Sequence, residues 1–142
     1  MTDKIHDWII QPLLCDYAEV ADGKLFVLGG GWSICGPGPF THALAIKIGV
    51  PWDLANRRHK LQAVLKDEDG HEVQLGDPLS EVRFEGEIEV GRPAGLPAGT
   101  YLDVPLAVNF GPLELPPGKG YVWAIGVNGT QVELRFRTRP NQ

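Results

Sequence analysis

Two cysteines and two serines in 142 residues leave covalent chemistry little to work with. Cys15 and Cys35 are too few for the disulfide framework that staples small exported domains. No apolar run approaches the roughly 20 residues of a membrane helix. Met1 to Asp7, with Asp3, Lys4, His6 and Asp7, contains no basic stretch followed by an apolar one. No export signal is therefore expected, the location is expected to be cytoplasmic, and the thiols are expected to be reduced. Positive charge is also short: 13 Lys and Arg stand against 18 Asp and Glu, for a net charge of −5. A sequence-independent grip on nucleic acid needs a basic surface, so that class is excluded. There is no repeat, low-complexity tract or linker, and residues 1–142 read as a single domain.

What the chain does have is turn formers between short apolar runs. Its 18 Gly and 12 Pro fall between segments whose composition, 43% hydrophobic and 22% charged, is that of a globular core. From Glu81 to Val90 the alternation is nearly complete. Val82, Phe84, Gly86, Ile88 and Val90 take one face; Glu81, Arg83, Glu85, Glu87 and Glu89 take the other. That period of two demands a strand with one wet face. Leu102, Val104, Leu106, Val108 and Phe110 repeat it, and Pro105, which has no ladder donor, predicts an edge or bulged strand there. Tyr121–Val127 and Val132–Arg137 alternate around Asn128-Gly129, which predicts a hairpin with a type I′ turn.

A second hairpin is expected at Asp67–Gly70, joining His59–Lys66 to His71–Leu75. Leu13–Val20, Lys24–Leu28 and His42–Val50 are more apolar and read as more buried, the first two joined by a tight Asp22-Gly23 turn. Pro51–Arg58 has room for one helical turn, and Arg92–Gly99 and Pro116–Gly118 read as loops. The expected fold is all-β: an antiparallel sandwich of jelly-roll or Greek-key type with eight or nine short strands and little helix.

Two stretches are informative together. One runs Leu14-Cys15-Asp16-Tyr17-Ala18-Glu19-Val20, then Asp22-Gly23-Lys24-Leu25, then Val27-Leu28-Gly29-Gly30-Gly31. The other is Pro51-Trp52-Asp53, His59 and Asp67-Glu68-Asp69-Gly70. Over most of its length the chain resembles a family of small uncharacterised bacterial proteins, mostly actinobacterial, expected to be β-sandwiches. The resemblance implies that fold and no activity.

Catalytic patterns are scarce. Gly29-Gly30-Gly31 follows a strand, but Trp32-Ser33-Ile34-Cys35 and Gly36-Pro37-Gly38-Pro39 cannot begin the helix of a phosphate loop. A bulge or sharp bend is the better reading. Neither Ser33 nor Ser80 sits in Gly-x-Ser-x-Gly. Cys15 lies in an apolar strand, where a thiol behaves as a small hydrophobe. The histidines, His6, His42, His59 and His71, include no His-x-His pair. His59 and His71 flank the second hairpin and, if close, can share a metal with Asp67 or Asp69. Asp67 and Asp69, joined by Asp16, Asp22 or Asp103, are the candidate calcium carboxylates; the competing reading is a solvated Asp-Gly turn. Asn128-Gly129-Thr130 matches a glycosylation sequon that the turn alone explains.

The remaining candidates are contact residues. Trp32, Trp52 and Tyr101 fall in or beside loops and can form a sugar platform, serve as protein hot spots, or plug the ends of the sandwich. Glu85, Glu87 and Glu89 make an acidic face; Arg135, Arg137 and Arg139 make a basic one. Side by side they would pair within one sheet, and apart they would drive self-association. The expected function is a non-catalytic binding or assembly module whose partner is itself or another protein, with no cofactor, nucleic acid or membrane. The alternatives are a carbohydrate- or calcium-binding sandwich and a small metal- or cysteine-dependent enzyme.

Overall fold

The computed structural model describes residues 7–141, so His6 and the segment read for an export signal lie largely outside it. Among the described residues eleven strands run in chain order: β1 (Ile9–Ala21), β2 (Lys24–Gly30), β3 (Ile34–Cys35), β4 (Phe40–Val50), β5 (His59–Asp67), β6 (Gln74–Leu75), β7 (Ser80–Glu81), β8 (Arg83–Ile88), β9 (Leu102–Leu113), β10 (Gly120–Val127) and β11 (Thr130–Thr138). Three are only two residues long, which leaves eight of ordinary length. The helical content of the described residues is the 3-10 turn Trp52–Leu54, inside the segment expected to hold one.

Four strands form one sheet in the order β2-β1-β4-β9, and five form the other in the order β3-β11-β10-β5-β8. The tiny β6–β7 pair stands apart. All pairings are antiparallel except β3 with β11, where Arg137 faces Ile34 and Thr138 faces Cys35 in parallel. β9 is an edge strand, as Pro105 requires, because an edge position leaves one row of ladder donors unused.

The sheets face each other across one core. β4 sends His42, Leu44, Ile46, Ile48 and Val50 inward, and β10 answers with Tyr121, Trp123, Ile125 and Val127. Leu61, Ala63 and Leu65 of β5 and Phe136 of β11 complete it. Each large aliphatic side chain buried this way contributes about 1.5–3 kcal/mol. The alternations read in β8 and β9 point as expected: Val82, Phe84, Ile88, Val104, Leu106, Val108 and Phe110 all pack on this core.

Both predicted two-residue turns form. Asp22 (φ 52°) with Gly23 (φ 69°), and Asn128 (φ 47°) with Gly129 (φ 83°), have the paired positive φ of type I′. The Asp67–Gly70 turn forms too, but the strand beyond it is a correction. Lys66 bridges Glu72 and the Val73 amide reaches the Leu65 carbonyl. Then β8, not residues 71–75, runs alongside β5 from His59↔Ile88 to Val64↔Arg83. The unbroken alternation of β8 makes it the better neighbour for a strand whose inner face is Leu61, Ala63 and Leu65.

The β1–β2 hairpin departs from the sheet. β1 pairs with β4 only from Ile9 to Cys15, while its pairing with β2 continues to Ala21. Past that point the Asn109 carboxamide of β9 takes the place of a neighbouring strand: Nδ2 donates to the Ala18 carbonyl (2.8 Å), and Oδ1 accepts the Ala18 amide (3.3 Å). Beneath the hairpin Cys15, Ala18, Ala43 and Ala45 form a second small core with Leu25, Val27 and Ala107. Two alanines in β4 leave the space a covering strand needs. The chain then bends through Gly29 (φ 60°) and Gly31 (φ 93°), so the triple glycine ends a strand and opens no helix.

Candidate functional site

The three loop aromatics do not converge. Trp32 sits at the end of the sandwich where β4 begins, its ring edge-on to Phe40 and Phe136 and its Nε1 donating to Asp16 Oδ1 (3.1 Å). Trp52 and Tyr101 lie at the end where β4 finishes, roughly 30 Å away along an 11-residue strand. Arg92 covers the Trp52 ring at 4.8 Å and donates Nε and Nη2 to the Trp52 carbonyl. The Tyr101 hydroxyl donates to the Asp7 carbonyl (2.7 Å). These residues close the two ends of the sandwich, and no common sugar platform forms from them.

Asp16, Asp22 and Asp103 do not join Asp67 and Asp69. Asp67, Asp69 and His71 bring ligand atoms within 4.8 Å of one another. However, Asp67 Oδ1 already accepts the amides of Asp69 (2.9 Å) and His71 (3.0 Å), the bonding of an Asp-Gly turn. Asp16 is engaged by Trp32, Asp22 is in the β1–β2 turn, and Asp103 faces Lys47 (3.6 Å) at the far end of β4. His59 is separated from His71 by the length of β5 and both its nitrogens are used: Nε2 donates to the Leu54 carbonyl (2.8 Å) and Nδ1 accepts from Asn128 (2.7 Å).

The charged residues share one surface, the outer face of the five-stranded sheet. Glu85 and Glu87 stand on β8, and Arg135 and Arg137 on β11, with β5 and β10 between them. Each side finds opposite charge nearby. Glu85 meets Arg83 (2.8 Å), Glu89 meets Arg58 (3.7 Å) and Glu87 stands opposite Lys60. Arg135 meets Glu133 (2.8 Å), Arg137 meets Glu68 (2.7 Å), and Arg139 donates to the Gly36 carbonyl (2.9 Å). Between the two rows a shallow groove of about 750 Å³ runs over Gly126, walled by Lys60, Gln62, Glu85, Glu87 and Gln131.

Both thiols lie inside the molecule. Cys15 and Cys35 are both buried, and burial pushes both above the usual thiol range. The buried histidine, His42, is held among rings. It stacks on Phe110 (5.2 Å) and lies beside Phe40, Trp32 and Trp123. Its Nε2 accepts from the Trp123 indole (3.1 Å), which puts the ring proton on Nδ1, and Nδ1 has no partner among the described residues. Burial lowers its pKa to about 4.

One surface feature escaped the sequence reading. Lys24–Leu28 was expected to be buried, but Phe26 is 52% and Leu28 65% exposed. The register explains why. Ala18 faces Val27 and Val20 faces Leu25 on the side turned to the second core, while Tyr17 faces Leu28 and Glu19 faces Phe26 on the other. Tyr17, 45% exposed, completes an apolar cluster that none of the described residues covers. An apolar strand that is covered on only one side looks, in sequence, like one covered on both.

The molecule is an open two-sheet sandwich with a hairpin displaced onto its own sheet and an apolar cluster on that hairpin. A family model matches residues 12–137, and the chain belongs to that family, a family of unknown function designated DUF6941. No curated protein and no solved structure matches it.

Proposed function

We propose that this protein is a non-catalytic assembly module that associates with copies of itself through the β1–β2 hairpin. The observation that carries the reading is the exposure of Tyr17, Phe26 and Leu28 together on one hairpin face. Scattered apolar residues are ordinary on protein surfaces; a contiguous group with two aromatic members marks a contact site. The local pairing of Glu85, Glu89, Arg135 and Arg137 argues against the charged faces as the driving force. Association is therefore expected to survive salt.

The test is molar mass by light scattering across tens to hundreds of micromolar, at low and high ionic strength. A mass that rises above 15.5 kDa with concentration at both salts, and stays monomeric in Leu28→Lys, supports the reading. A monomer throughout sinks it. A mass that falls at high salt returns the role to the charged faces.

The groove over Gly126 favours a second reading, a polar ligand such as a carbohydrate held by amide and carboxylate side chains. A thermal-shift panel of sugars, with calcium as a parallel arm, tests it. A stabilisation abolished by Gln62→Ala supports the groove, and a flat panel removes it.

A further inference from the structure

The two main sheets end in four edges, and three of them are defended. β3 is two residues long. β8 carries Arg83, Glu85 and Glu87. β9 carries Pro105 and Pro112. Shortness, charge and proline are the devices by which proteins stop an edge from recruiting another strand. β2 has none of these in its apolar stretch. Leu25, Phe26, Val27 and Leu28 follow a single lysine, and no described strand lies along their outer side.

The hydrogen-bonding phase of that edge can be worked out. Ala18 turns its amide and carbonyl away from β2, since both bond to Asn109. Residues opposite one another in an antiparallel pair share their phase, so Val27 likewise turns its amide and carbonyl away from β1. Leu25, two residues earlier, does the same. Gly29 (φ 60°) breaks the regular ladder beyond Leu28, leaving Lys24–Leu28 as the usable edge.

We infer that two copies of this chain join by antiparallel pairing of their β2 edges, with the two-fold axis at Phe26. This inference rests on the assembly reading above and deepens it. In that register Leu25 of each copy exchanges backbone bonds with Val27 of the other, which satisfies the outward amides and carbonyls of both residues. Phe26 meets Phe26 of the second copy in a close, non-hydrogen-bonded pair, where Cα atoms approach to about 4.5 Å. The two four-stranded sheets become one continuous sheet of eight strands. The contact is isologous, so it closes at two copies and does not propagate.

The area fits a modest dimer. Phe26 (52% exposed) and Leu28 (65% exposed) flank the joined edges, while Tyr17 (45% exposed) stands one strand further in. Edge pairing shelters only part of these side chains, so the contact falls at the small end of specific interfaces, below about 1,200 Å². A concentration-dependent dimer is expected.

Two measurements test the register. Phe26→Cys, oxidised mildly, is expected to give a disulfide-linked dimer, because its equivalents face each other across the axis at bridging distance. Leu28→Cys, whose equivalents lie two positions either side of the axis, is expected to stay largely uncrosslinked. In the wild-type chain, amide hydrogen exchange at Leu25 and Val27 should slow as concentration rises through the dimerisation range. A wild-type dimer in which both amides stay fast, or in which Leu28→Cys crosslinks as readily as Phe26→Cys, overturns edge pairing and leaves the assembly reading standing. A wild-type chain that remains monomeric at all concentrations removes both.

Discussion

Acid should weaken this protein through one residue, His42. In the fold its imidazole is buried and neutral with a pKa of about 4, against 6.5 for a free histidine. The unfolded chain therefore takes up the proton first as pH falls. His42 is fully compatible with the fold above pH 6.5, and stability is lost between pH 6.5 and about 4. Linking those two values gives a loss of about 2 kcal/mol between pH 7 and pH 4.5, a sizeable part of the roughly 5–15 kcal/mol of a typical domain. The cause is structural. Protonating Nε2 would remove the acceptor for the Trp123 indole and place a charge between Phe110, Phe40 and Trp123.

The comparison is with His42→Gln, which keeps an acceptor but cannot titrate. Guanidinium unfolding followed by tryptophan fluorescence at pH 7 and pH 4.5 gives the two stabilities. Exposed carboxylates affect both proteins equally, so the difference between their pH dependences isolates His42. Wild type should lose about 2 kcal/mol more than the variant. Equal losses, or an NMR titration of His42 near 6.5, would refute the reasoning.

Other expectations follow from named contacts. Gly29 holds positive φ, and a Cβ there would run into the Asp16 carboxylate. Gly29→Ala should cost about 1–3 kcal/mol and change Trp32 fluorescence, since Asp16 is the acceptor for its indole. Gly129→Ala, at a position with positive φ but open space, should cost less, about 1 kcal/mol, by the same unfolding assay. Cys35 should react with a thiol reagent at pH 8 only on unfolding, and Cys15 only on unfolding or on opening of the β1–β2 hairpin; fast labelling of both in the native protein would contradict their burial.

Much of the fold was legible because its strands are wet on one side. β8 and β9 announced themselves through alternation, and Pro105 placed β9 at an edge. Asp22-Gly23 and Asn128-Gly129 fixed two turns by local chemistry alone. Pairing over distance was less readable. The sequence placed residues 71–75 beside β5, but nothing local told it that β8 would take that edge. The charged residues were named correctly as exposed, yet their compensation depends on Lys60, Arg58 and Glu68, which lie on other strands or in loops. The hairpin cluster was hidden by its composition. Leu25 and Val27 are covered while Phe26 and Leu28 are not, and only the bend of β1 away from β4 decides which is which. Ala43 and Ala45 were the available clue: small residues on a strand's second face signal that something lies close upon it.

The Asn109 latch has a bearing on motion. One carboxamide, with the small core beneath it, holds the far half of the β1–β2 hairpin where a neighbouring strand would otherwise do so. The hairpin's own ladder and the main core would both survive the loss of those two bonds. The hairpin is thus placed to swing off as a unit, at a free energy below that of global unfolding. Such an excursion would bare Ala43, Ala45 and Cys15 for the moment it lasts, making the otherwise silent thiol of Cys15 a built-in reporter of how often the latch lets go.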